Sequence, residues 1–521
     1  MWQGADVWVH SLLCGVACVA VSLMGARCLS SAPGSSIASR GLAGRLGSGF
    51  TMGSGIISVE LLLMGYAGVP FSRGLALAAL FVPVALMSLS QRVLRRRRKH
   101  GQSRLPTGRV IKRDSDRNPR GWNITAWVVA TLLAGYVLML ALVTVSYGAS
   151  FPDAHNIWLL KARAFFVDSG FDGDYFRSWP DCHDRRSYPP GVSLFATWIY
   201  LLIGDADSQA VKLLWIGFLL ATAGWVRDSV RRWSTRSLAL VAGVLTLLSP
   251  MGMVLSMWGA ADLALAAYGM AAVALTLDWV ARRHPRGIPW QVGIFLGFAA
   301  LTKGEGAVML VSVPCSMLLA AWVMARRAAT ASRDEPRPRQ LLPLARQIGV
   351  ACAAPMALVA SWHAFLAHRA VVLVPVMPGT SERSGRLSQR LAVIADAAIE
   401  QFFLPSWMYV WPLSLAACCC LLVLPRYRRQ LSAGWLPLVC FWVVAAQLGA
   451  YAMVYLLFRG DLVYLLETTA GRIPFHVWPI ALCGLMLALS GPRDAGDKPG
   501  ALAPDHDTRS DTRSDSNAQR T

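Results

Sequence analysis

The stretch Ile124-Thr-Ala-Trp-Val-Val-Ala-Thr-Leu-Leu-Ala-Gly-Tyr-Val-Leu-Met-Leu-Ala-Leu-Val-Thr-Val-Ser-Tyr147 holds no charged residue and no proline. As a helix it would be roughly 36 Å long, more than the ~30 Å hydrocarbon core of a bilayer. Trp435–Leu457 is likewise uncharged over 23 residues, its one proline, Pro437, lying near the start, where a helix tolerates it. Lipid offers backbone groups no hydrogen-bond partner, so runs of this kind cross it as helices. The whole composition agrees: of 521 residues 55% are hydrophobic and 15% charged, with a mean hydropathy of +0.45. Soluble domains carry about a quarter charged residues, which excludes an ordinary soluble enzyme. Tryptophan is abundant at 20 residues, as suits chains with rings at the membrane–water boundary.

Working outward, the apolar runs predict spans at 5–25, 52–68, 74–90, 124–147, 209–226, 237–255, 262–280, 288–301, 306–325, 348–366, 406–424, 435–457 and 474–490. Arginine and lysine gather in the links between them, most densely at Arg95–Lys99, and the positive-inside rule places that link in the cytoplasm. The loop 148–190 then lies outside, with five basic and six acidic residues. Gly191–Gly204 is apolar but short. If it dips instead of crossing, Arg227–Arg236, Arg282–Arg286, Arg326–Arg346 and Arg426–Arg429 all fall inside; if it crosses, all four fall outside, which the charge rule disfavours. The expected fold is therefore an all-α polytopic membrane protein of about 13 transmembrane helices with a cytoplasmic C-terminus. The external loop 367–405, with Arg369, Arg383, Arg386 and Arg390, strains this scheme. Its Leu387, Leu391, Ile394, Ala398 and Phe402 recur at helical spacing and predict a helix lying in the interface.

The excess of 50 Lys+Arg over 29 Asp+Glu is explained by these links, and no nucleic-acid motif accompanies it. Most of the eleven cysteines sit in apolar runs, without CxxC or Cys/His metal spacing, and read as small hydrophobes. No Lys or Arg precedes the first apolar run, so it is expected to be a retained span and not a signal peptide. The polar tail 491–521, with Asp507-Thr-Arg-Ser followed by Asp511-Thr-Arg-Ser, cannot bury a core and is expected to be disordered.

Chemistry-bearing residues collect on the predicted external side. If 153–163 is helical, Asp153 and Lys161 lie within ~80° of each other on one face; an interfacial helix with a solvated charge pair fits that spacing equally. His183 and Tyr188-Pro189-Pro190-Gly191 read as a rigid loop-to-helix joint or a binding element. Asp262 begins a span, where a carboxylate also serves as a cap. Lys303-Gly-Glu305-Gly306 interrupts two apolar runs, as a polar turn or as costly charges that are paired or functional. Arg472 and His476 enter the last span, Arg472 being free to snorkel. Individually these residues are unspecific; together they place acids and bases at one membrane surface, which suits chemistry on a lipid-borne substrate.

Asp153-x4-Trp158-x2-Lys161-Ala162, then His183-x4-Tyr188-Pro189, then Ala261-Asp262-Leu263, then Leu301-Thr-Lys303-x-Glu305-Gly306, in that order, resemble the GT-C superfamily of integral-membrane glycosyltransferases. The resemblance is to the branch holding dolichyl-phosphate-mannose–protein mannosyltransferases and the aminoarabinose transferase of lipid A, and it covers roughly 124–490. It implies a polyprenyl-phosphate sugar donor, an acid in the first external loop as the catalytic centre, and transfer with inversion. Asp153 takes the catalytic position. Ala154 and His155 follow it where some members carry a second acid, which leaves metal binding in doubt. Lys161, Lys303 and Arg472 are the candidates for the departing phosphate, with His183, Tyr188, Asp262, Glu305 and His476 in support.

The resulting expectations are an N-terminal part (1–123), a catalytic membrane part (124–490) and a tail (491–521). The enzyme would sit in the cell membrane with its site outside and transfer a sugar, mannose as first guess, to a hydroxyl on a glycan, lipid, protein or peptide natural product. No resident cofactor is expected, a divalent metal staying open. The rival class is a secondary transporter or flippase, which tends to show repeats and midplane sites; no internal duplication is visible in the sequence.

Overall fold

A computed structural model describes residues 3–31, 42–101, 124–146, 153–176, 186–281, 287–331, 341–369, 371, 387–423, 436–458 and 461–490. The tail, His183, Arg383, Arg386 and most of the 91–123 link lie outside the described residues. Every element described is helical: α1 (Gln3–Ser31), α2 (Leu42–Tyr66), α3 (Arg73–Gly101), α4 (Ile124–Ser146), a π-helical turn (Ala154–Leu159), α5 (Leu160–Val167), α6 (Gly191–Ile203), α7 (Leu213–Trp233), α8 (Arg236–Leu247), α9 (Pro250–Trp258), α10 (Ala261–Ala281), α11 (Ile288–Thr302), α12 (Gly306–Ala331), α13 (Leu341–His368), α14 (Leu387–Phe403), α15 (Val410–Val423), α16 (Leu436–Leu457), α17 (Leu462–Thr469) and α18 (Trp478–Leu489).

Among the described residues nine helices are long and apolar enough to cross a membrane, ten if α8 and α9, bent by 43°, form one broken span. The break follows from Ser249-Pro250 at the head of α9, where proline cannot donate to the preceding turn. The chain is thus a multi-pass membrane protein. Crossing by the short apolar helices α11, α15 and α18, but not by α6, would complete the thirteen expected spans.

α6 has the geometry of a dip. Its 13 residues rise only about 20 Å, and nearly all are buried in protein. Gly191, at its start, lies against the Leu301 carbonyl at the end of α11. Arg73, the first residue of α3, holds the carbonyls of Leu201 and Ile203 at α6's far end, and the α2–α3 turn is tied to the 153–176 segment by Phe71 N–H donating to Ser169. Both ends of α6 therefore meet the same end of the bundle.

α2 begins ten residues earlier than the apolar run suggests. Its first turns are rich in Gly and Ser, which read as a linker in water but serve close helix contact in a membrane. A Cβ at Gly25 would stand 2.0 Å from the Gly49 carbonyl oxygen, and one at Gly49 1.9 Å from that of Ser22, so α1 and α2 touch backbone to backbone. α10 is the axis, buried from Ala261 to Val280, its alanines letting α7, α11 and α12 close around it. α14 divides its surface three ways. Arg390 faces protein and donates to the Tyr455 and Phe458 carbonyls that end α16; Leu387, Leu391, Ile399 and Phe403 are exposed apolar positions; Asp396 and Glu400 are exposed acids. That division suits a helix at the boundary of protein, lipid and water.

Candidate active site

Four chain segments meet at the end of the bundle that holds both ends of α6. Asp153 directly precedes the π-helical turn, a rare geometry that re-aims side chains relative to α spacing. Gly259 closes α9 at φ +70°, a conformation few other residues take. A Cβ there would also sit 3.1 Å from that of Ala154, so the α9–α10 turn brings Asp262 under Asp153. Lys303 ends α11 in extended conformation; the chain doubles back so tightly that a Cβ at Gly306 would lie 2.1 Å from the Ala299 carbonyl oxygen. Arg472 caps and His476 ends a 3-10 turn, Ile473–His476, before α18.

The hub is Asp262, 1% exposed. Its Oδ1 accepts from Lys303 Nζ at 3.1 Å and from His476 Nε2 at 2.7 Å, and its Oδ2 is 3.8 Å from an Arg472 terminal nitrogen. That nitrogen is ion-paired with Asp153, while Arg472 Nε donates to the Thr468 carbonyl. Lys303 Nζ also reaches Glu305 Oε1 at 3.0 Å. Asp262 is thus no simple helix cap, and Arg472 turns inward instead of snorkelling. The Lys303–Glu305 contact forms because the helix is broken there.

Charge and burial fix the ionisation of the turns outside the spans. Burial pulls the Lys303 ammonium down, but Asp262 and Glu305 outweigh it and hold it above the usual lysine range. Burial raises the Glu305 carboxyl, but the Lys303 ammonium beside it brings it below its ordinary value. His476 is pushed down by burial against the pull of Asp262. Three carboxylates face two permanent cations. Asp153 and Glu305, at 17% and 25% exposure, are the more accessible carboxylates.

Lys161 lies outside this network. It is fully buried, donates to the Tyr188 carbonyl at 2.7 Å and is 3.4 Å from that of Arg186, and stands over the Trp362 ring. Burial pushes it down to about 7. Tyr188 packs edge-on against Trp158. Both residues tie the loop to the bundle. Among the described residues no group of three or more His, Cys, Asp or Glu is arranged to hold a metal ion.

Sequence reasoning missed Gln447 and Tyr451, which complete the cluster from α16. Gln447 Nε2 donates to the Glu305 carbonyl at 3.1 Å and to Tyr451 Oη at 2.8 Å, and Tyr451 Oη is 2.6 Å from His476 Nδ1. A signal existed: Gln447, Tyr451 and Tyr455 recur every four residues in an apolar run, marking one inward polar face.

No family model and no curated protein matches the chain. Among solved structures it is similar to ArnT from Cupriavidus metallidurans in the apo state, at 18% identity and a TM-score of 0.44, covering 70% of this chain and 59% of that one. ArnT bound to undecaprenyl phosphate matches at 19% identity and a TM-score of 0.44, covering 71% and 60%. The chain spans about three-fifths of the solved chains' length. A likeness this distant assigns neither family nor activity.

Proposed function

We propose that this protein is a membrane glycosyltransferase of GT-C type, moving a sugar from a polyprenyl-phosphate donor to an acceptor hydroxyl at the non-cytoplasmic face. The observation that carries the reading is the pairing of a partly accessible carboxylate, Asp153, with a guanidinium, Arg472, anchored beside a buried charge network at the end of a membrane bundle. The four ordered motifs that resemble GT-C enzymes support it, three of them contributing residues to this cluster.

In this reading Asp153 removes the proton from the acceptor hydroxyl. The oxygen attacks the anomeric carbon, the bond to the lipid phosphate breaks, and the configuration inverts. Negative charge grows on the departing phosphate, and Arg472 stabilises it. A guanidinium has five N–H donors, enough to hold a carboxylate and a phosphate together. Lys303 stands behind, committed to Asp262 and Glu305. Mannose remains the first candidate sugar.

The test uses purified protein in liposomes with synthetic polyprenyl-phosphate mannose, labelled in the sugar, and a panel of glycan, lipid and hydroxyl-peptide acceptors. Label moving to an acceptor as polyprenyl phosphate is released supports the reading. Passage of the intact labelled lipid across the bilayer, without bond cleavage, would overturn it in favour of a flippase.

A further inference from the structure

Donor and acceptor identities around His476 can be assigned from groups that have no choice. The Glu305 backbone carbonyl only accepts, so the Gln447 nitrogen facing it at 3.1 Å is the amide NH2. That nitrogen gives its other hydrogen to Tyr451 Oη at 2.8 Å, leaving the phenol proton for His476 Nδ1 at 2.6 Å. With Nδ1 accepting, the imidazole carries its proton on Nε2, 2.7 Å from Asp262 Oδ1. Gln447 and His476 are fully buried and Tyr451 nearly so, so water does not compete for these bonds.

We propose that Gln447, Tyr451 and His476 are positioning residues: a one-way hydrogen-bond relay from α16 that locks His476 as the neutral Nε2–H tautomer and presents Asp262 to Lys303 and Arg472. Through Asp262 the relay holds the Arg472 guanidinium on Asp153. Its service to catalysis rests on the transferase reading; the tautomer does not. The charged and titratable groups around the imidazole are Asp262 from α10, Lys303 and Glu305 from the α11–α12 turn, Tyr451 and Tyr455 from α16, and Arg472 with its partner Asp153.

Tyr451→Phe removes the donor to Nδ1 and keeps the ring. Nδ1 can then take up a proton, and the imidazolium competes with Lys303 and Arg472 for Asp262. Loss of one buried hydrogen bond predicts a kcat lower by about three- to tenfold, with the donor KM little changed. The acid limb of the kcat/KM profile should move to higher pH, which a packing defect would not do. His476→Gln keeps an N–H toward Asp262 but cannot titrate. Because Tyr451 acts through His476, Tyr451→Phe should add little in that background.

The independent readout is ¹⁵N NMR of histidine-labelled protein in nanodiscs, His476 being the signal lost in His476→Gln. Wild type should show a neutral ring protonated on Nε2 between about pH 5 and 8, and Tyr451→Phe should titrate within that window. An imidazolium throughout in the wild type overturns the relay. So does a Tyr451→Phe loss equal at every pH and fully additive with His476→Gln. The stated tautomer in a wild-type protein that transfers no sugar would sink the transferase reading and leave the relay standing.

Discussion

Lys303→Met tests whether the charge network, and not apolar packing alone, holds the site end of the bundle together. Methionine keeps most of the side-chain volume and deletes the ammonium that lies 3.1 Å from Asp262 and 3.0 Å from Glu305. At an effective dielectric of ~20 each contact is worth roughly 5 kcal/mol before desolvation is counted. Removing one partner of a buried pair costs about 3–5 kcal/mol, because the other charge is left uncompensated. In the wild type three carboxylates face two cations; Lys303→Met leaves three facing one. Adding Asp262→Asn restores the original excess of one, so the double variant should recover part of the loss. The assay is the free energy of unfolding from SDS titration in mixed micelles, followed by tryptophan fluorescence. A Lys303→Met penalty under about 1 kcal/mol, or a double variant worse than the single, would refute the reasoning.

Three further outcomes follow from the same structure. A membrane-impermeant thiol reagent on intact cells should label a cysteine placed at Ser178 and spare one at Ser103; the reverse would move the site to the cytoplasmic face. Arg472→Lys keeps the charge but loses the fork, so it should raise the donor KM less than Arg472→Ala but measurably; wild-type kinetics in Arg472→Ala would remove it from phosphate binding. Lys161, pushed by burial from 10.5 to about 7, binds fewer protons folded than unfolded between those values, so its contribution makes stability rise with pH across that window and level off below it. Lys161→Met should flatten that slope in denaturation curves measured at stepped pH, and an unchanged slope would show the lysine is not the group responsible.

Much of this was legible in the sequence, for physical reasons. Apolar runs longer than a bilayer is thick mark helices directly, and α4, α10, α12 and α16 fall close to where those runs place them. Asp262, Lys303, Glu305, Arg472 and His476 stood out because charge at a span end is expensive without a partner. What escaped depends on distance between chain segments. The start of α2 is built from glycines and serines whose value lies in contact with α1. Asp153 pairs with Arg472 and Lys161 donates to the Tyr188 carbonyl, partners that the local spacing of 153–163 does not reveal. Tyr451 and Gln447 were hidden in an apolar run; beyond their bond to each other, their partners are His476, 25 residues away, and the Glu305 backbone carbonyl.

The central claim is that Asp153 is the base of a sugar transfer from a lipid phosphate. Asparagine matches the shape of aspartate but cannot take up a proton as a carboxylate does. In the purified protein with labelled polyprenyl-phosphate sugar, Asp153→Asn should lower turnover by about 10²–10⁴-fold, with fold and donor binding largely retained. Near-normal turnover in Asp153→Asn, alongside its abolition in Glu305→Gln or Asp262→Asn, would contradict the account and assign the base to another carboxylate of the cluster.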